Sequence, residues 1–113
     1  MRNVIAFFSL LVLSACMGGA ETIIQPVEYR EASDLEFGEI CVDSNVAAAP
    51  IVIMDRDHKI RIEASTYLCQ PLEPKGYQVE FLDVADYTKK PPMADSLNLQ
   101  EFKRIEVMGL YAP

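Results

Sequence analysis

A chain of 113 residues carrying 17 acidic and 10 basic side chains has a formal net charge of −7 at pH 7. No basic stripe is present that would track phosphates, so no nucleic-acid partner is expected. The length allows one domain with one modest core, and the 50 % hydrophobic content is inflated by an apolar run at the N-terminus.

That run opens the chain. Arg2 supplies positive charge, Val4 to Leu13 is nearly unbroken apolar sequence, and Ser14 and Ala15 place small side chains directly before Cys16. The stretch is too short for a bilayer-spanning helix, which needs about 20 residues. Charge, short apolar segment and small residues are the parts of a secretory leader, and Leu13-Ser14-Ala15-Cys16 reads as a lipobox. Over residues 1–16 the chain resembles the bacterial lipoprotein precursors. The resemblance implies that residues 1–15 are a removed signal peptide. Cys16 then becomes the first mature residue, with a diacylglycerol on its sulfur and an acyl chain on its nitrogen. Each buried methylene contributes about 0.8 kcal/mol, so several chains on one residue make membrane attachment effectively permanent. Met17 stands where that family uses Asp for inner-membrane retention, which implies the periplasmic face of the outer membrane. The inner membrane and the soluble periplasm are the alternatives. Gly18-Gly19-Ala20 offers the other processing route, an ordinary small-x-small site that would discard Cys16.

Without the leader, nine basic and 17 acidic side chains remain, a formal net charge of −8. Residues 16–22 read as lipidated N-terminus and tether, spanning roughly 13 Å, and residues 23–113 as a single β-rich domain held close to the membrane. Ile23 to Tyr29 is β-rich but contains Pro26, which demotes it to an edge strand or to two pieces. Leu35 and Phe37 have one parity and Ile40 and Val42 the other, with Gly38 between them, the pattern of a β-bulge. Pro50 to Met54, the polar cluster Asp55 to Lys59 and the alternating Ile60 to Glu63 predict a hairpin with a four- to five-residue loop. Ala64 to Leu72 could make a single helical turn before Pro71 stops it. Glu73-Pro74-Lys75-Gly76 suits a type I turn into the period-two strand Tyr77 to Phe81. Tyr87 to Met93 is loop or polyproline II. Asp95 or Ser96 could cap a helix through Lys103 with Leu99 and Phe102 inward. A last strand, Arg104 to Tyr111, puts Ile105, Val107, Gly109 and Tyr111 on one face. The expected fold is therefore mainly β, a small antiparallel sandwich or barrel with at most one short helix, with α+β as the alternative.

Once lipid takes Cys16, Cys41 and Cys69 remain as a pair in an oxidising compartment, and one disulfide between them is expected, with Cα atoms about 4.4–6.8 Å apart. Two buried free thiols are the alternative. By loop-closure entropy a 28-residue separation gives about 3.6 kcal/mol, and the spacing lacks the C-x-x-C of a redox centre.

Asp55, Asp57 and His58 carry ligand types that a divalent ion accepts, yet zinc wants three or four supported ligands and an EF-hand more oxygens and a glycine, so a plain turn explains them better. His58 is the only histidine. There is no G-x-S-x-G, H-E-x-x-H, phosphate loop or dinucleotide fingerprint, so no catalytic residue and no cofactor is expected. Asp83 and Asp86, near Tyr87, could form a carboxylate pair but read better as solvated strand-end residues. Lys89-Lys90 before Pro91-Pro92 suits either an anionic partner, such as a lipid A head group or glycan strand, or a loop kept soluble by lysines. The expected function is non-enzymatic: a membrane-anchored lipoprotein that binds an envelope protein or plays a structural role. The alternative is capture of a metal or small ligand through the Asp55–His58 loop.

Overall fold

The computed structural model describes residues 19–28, 37–101 and 103–113. Residues 1–15, read as a leader, and Cys16, Tyr29, Leu35 and Phe102, on which several expectations fell, lie outside them. Among the described residues there are eight strands and no helix: β1 (Glu21–Glu28), β2 (Gly38–Ser44), β3 (Pro50–Asp55), β4 (Arg61–Ser65), β5 (Leu68–Leu72), β6 (Gly76–Phe81), β7 (Ala94–Asn98) and β8 (Lys103–Leu110). Two four-stranded sheets, ordered β1-β8-β2-β5 and β4-β3-β6-β7, pack as a small sandwich. This is the mainly β class that the alternation predicts. All pairs are antiparallel except β2 with β8, which run parallel because the chain visits the opposite sheet between them.

Alternation builds the core. Ile40 and Val42 of β2 and Ile105 and Val107 of β8 face Ile51 and Ile53 of β3 and Tyr77, Val79 and Phe81 of β6, all buried. The β3/β4 hairpin forms with Ile53 opposite Ile62 and Met54 opposite Arg61, as its sequence predicts. β3 is buried on both faces: Val52 and Met54, on the outer one, are flanked in register by Glu63, Glu80, Arg61 and Gln78. Final strand β8 likewise turns Ile105, Val107 and Gly109 inward. A Cβ placed at Gly109 would lie 2.5 Å from Phe81 Cε1, so only glycine fits under that ring.

Four details differ from the sequence reading, each for a physical reason. β1 begins at Glu21, two residues before the expected domain start; it runs through Pro26 as an edge strand, one of the two expected outcomes, where the missing N–H can be spared. Gly38 starts β2 and is no bulge. The parity change at Phe37 is a strand boundary, and a Cβ at Gly38 would meet Gln100 O at 2.5 Å. The turn expected in 64–72 is absent. β4 continues to Ser65, and Thr66-Tyr67 carries the chain across to β5, where Pro71 lies on the exposed edge of its sheet. The expected helix from residue 95 or 96 to 103 is replaced by β7. A register shift against β6 puts Ala94 opposite Val79 and Leu97 opposite Tyr77, both buried. An irregular strand thus reproduces the three-residue spacing of a helical face.

The disulfide is formed. Cys41 and Cys69 are directly opposite each other in β2 and β5, with Cα atoms 4.0 Å apart. That is slightly below the expected range.

Candidate functional site

Three places on the molecule gather polar chemistry. The first is the predicted Asp55–His58 loop. Asp55 ends β3 on the core side, opposite Tyr77, and is only 1 % exposed. Its Oδ1 accepts from the backbone N–H groups of Lys59 (2.8 Å) and Ile60 (3.1 Å), and Lys75 Nζ lies 3.5 Å from Oδ2. The Ile60 N–H holds this carboxyl below its ordinary value; burial opposes the shift, and the Lys59 N–H and the Lys75 ammonium add to it. The N–H of His58 donates to Asp55 O at 3.0 Å, and His58 itself takes a left-handed φ of 60° with its side chain exposed. Asp55 thus ties down the turn from inside while Asp57 and His58 point outward. The loop does not bring these three side chains together as a ligand set.

The second place is the outer face of the first sheet. Arg104 Nε donates to Glu39 Oε1 at 2.8 Å and its Nη1 lies 3.6 Å from Glu106 Oε2, an ion triad beside the disulfide. Glu39 Oε1 is also 3.5 Å from Cys41 Sγ. Glu39, Cys41 and Cys69 are the one group of three metal-ligating residue types whose ligand atoms converge among the described residues. Both sulfurs are bonded to each other and the carboxylate is paired with Arg104, so the group has no thiolate to offer a metal in this state. Exposed Tyr67 donates from its hydroxyl to Cys69 Sγ at 3.0 Å, and with Asp43 and Glu106 borders a shallow acidic cleft of about 120 Å³.

The third is the free edge of β1. By register, Ile24 and Pro26 share the side of Val107 and Ile105, whose side chains enter the core. Both are nevertheless exposed, Ile24 at 45 %. Next to them a groove of about 380 Å³ opens between the end of β1 and the β7/β8 connection, with Pro26, Val27 and Ile105 as apolar wall and Asn98, Gln100 and Arg104 as polar rim. Sequence reading found the edge through Pro26 but missed the groove. Residues more than 70 positions apart meet there, and the Glu39–Arg104 pair, 65 apart in sequence, left no local pattern to find.

Among the described residues β1 pairs on one side only, and its other edge with an apolar shelf and amide side chains is the chemistry of strand addition or peptide docking. Compared with known proteins, the chain matches no family model, no curated protein and no solved structure.

Proposed function

We propose that this chain is a lipoprotein anchored at Cys16, on the periplasmic face of the outer membrane, whose domain binds an envelope protein and catalyses no reaction. The uncovered core-side face of edge strand β1, with Ile24 and Pro26 beside the groove, carries the binding half of this reading. Leu13-Ser14-Ala15-Cys16 carries the anchoring half. The two fit one geometry. β1 starts five residues after Cys16 and rises about 3.3 Å per residue, so its groove end stands on the order of 20 Å above its anchored end. Capture of a metal or ligand by the Asp55–His58 loop draws less support, since the Asp55 carboxylate is already committed to its own backbone.

Intact mass tests the anchor: the mature chain should begin at a lipid-bearing Cys16, and Cys16→Ser should stay unprocessed or unlipidated. A mature N-terminus at Glu21 would sink that half. A photocrosslinking side chain at position 24, in intact cells, should give a discrete protein adduct that the same probe at position 57 does not give. Ile24→Glu should weaken the capture of that protein without lowering the thermal midpoint. Loss of function on both Asp57→Ala and His58→Ala, with the fold intact and Ile24→Glu silent, would move the site to the loop.

A further inference from the structure

We propose that the Lys89–Met93 loop is a foot that rests on the anionic lipid head groups of the membrane holding Cys16, and so fixes how the domain stands on its anchor. The inference rests on lipidation at Cys16. Glu21 lies five residue steps after Cys16, at most about 17 Å of extended chain, so whatever surrounds the start of β1 lies within reach of the head groups.

What surrounds it is this loop. A Cβ placed at Gly19 would lie 3.6 Å from Lys89 Cδ and 3.7 Å from its Nζ, so the Lys89 side chain runs beside the segment arriving from the anchor. Three residues on, Thr22 Oγ1 donates to Pro92 O. Lys89 also exchanges both backbone hydrogen bonds with Ala112, at 3.0 and 3.1 Å, immediately after the end of β8 that pairs with Glu21. The segment receiving that bridge is itself clamped, since Asn45 donates to Tyr111 O and accepts from Tyr111 N at 3.0 and 2.8 Å. Pro91 is buried, whereas Lys89, Lys90 and Met93 are exposed, Met93 at 44 %. A rigid base thus presents two ammonium groups and an apolar thioether at the place where the chain leaves for the membrane.

Ammonium groups with an exposed apolar side chain suit an interface of phosphate head groups over acyl chains. The domain is otherwise acidic and would be pushed from an anionic surface, so a basic pair at the anchor end sets which side faces down. Glu21 at the start of β1 and the exposed Asp86 and Asp95 on either side of the loop are acidic groups along the same stretches. Asp83 Oδ1 lies 3.9 Å from Lys90 Nζ, and both are well exposed, so water screens that contact and phosphate can replace it.

The test uses the full mature lipidated chain, reconstituted into vesicles of phosphatidylcholine alone or mixed with phosphatidylglycerol. A water-soluble amine-acylating reagent is read residue by residue by mass spectrometry. Lys89 and Lys90 should react about fivefold more slowly on the anionic vesicles, and high salt should remove the difference. Lys59, at the hairpin tip, should not change. In Lys89→Gln/Lys90→Gln, oxidation of Met93 by hydroxyl radicals should lose the protection that the native chain shows on anionic vesicles. A chain confirmed by mass as lipidated at Cys16, with Lys89 and Lys90 reacting alike on both vesicles, overturns this inference alone. A mature chain that begins elsewhere overturns it together with the anchor.

Discussion

The Ile60 N–H, with help from Lys59 and Lys75, holds the Asp55 carboxylate below the ordinary value of 3.8, and this has a sign that can be measured. A carboxyl whose folded value is lowered contributes stability that is fully present above 3.8 and lost as pH falls through the folded value. Asp55→Asn keeps an acceptor but not the charge. It should lower the thermal midpoint at neutral pH, and the gap to the native chain should narrow as the solution is acidified below 3.8. A constant gap would detach the effect from ionisation. Tyr77 points the other way: burial, then Glu73 and Asp55, push its phenol up to about 12, so its contribution is fully present below 10 and lost as pH rises toward 12. Gly109 is a separate residue-scale constraint, because Phe81 is fully buried and packed edge-on against Tyr111, with ring centroids 6.3 Å apart, and has no room to retreat. Gly109→Ala should cost about 1–3 kcal/mol by overpacking, and each kilocalorie lowers the midpoint by roughly 4–8 °C in a domain of this size. An unchanged midpoint would show that the ring does move.

Where local pattern and final structure agree, the element is a regular strand with one buried face. Tyr77 to Phe81 alternates throughout, and the last strand alternates from Arg104 to Gly109 before Leu110 is buried as well; it runs one residue earlier at each end than its sequence reading. Elements that break the period of two were not legible in this way. Ala94 and Leu97 sit three apart because β7 shifts register against β6, and a sequence carries no mark that separates this from a turn of helix. β5 was hidden differently: Pro71 argued against regular structure, and only its place at a sheet edge removes the objection. Nothing within β5 names its partner except Cys69. The disulfide joins β5 to β2, the two strands whose pairing spans residues 38 to 72, and therefore holds closed a loop that contains the whole β3/β4 hairpin. Cys41→Ser/Cys69→Ser should lower stability by about 3.6 kcal/mol in chemical denaturation while the strand content seen by circular dichroism survives at low denaturant. A loss below about 1 kcal/mol would mean that the β2/β5 pairing closes the loop unaided.

At the scale of the whole molecule, composition fixes the sign of the net charge, and the topology decides what the surface presents. The apolar N-terminal run and the basic pair are local in the sequence, whereas the groove beside β1 and the approach of Lys89 to Gly19 depend on β8 bringing distant segments of the chain together. On the proposed reading, anchor, foot and groove follow one another along β1, and the shortness of the tether couples them. Lengthening it should uncouple them without touching the fold. For a flexible chain the local concentration of one end about the other falls as roughly the −3/2 power of length, so extending five residues with about twenty of Gly and Ser should reduce engagement of the foot about tenfold. The extended protein should still carry lipid at Cys16 and unfold at the native temperature, but lose the protection of Lys89 and Lys90 on phosphatidylglycerol vesicles. Protection that survives the insertion would mean that the loop binds head groups by its own affinity, and that the short tether contributes nothing to the pose.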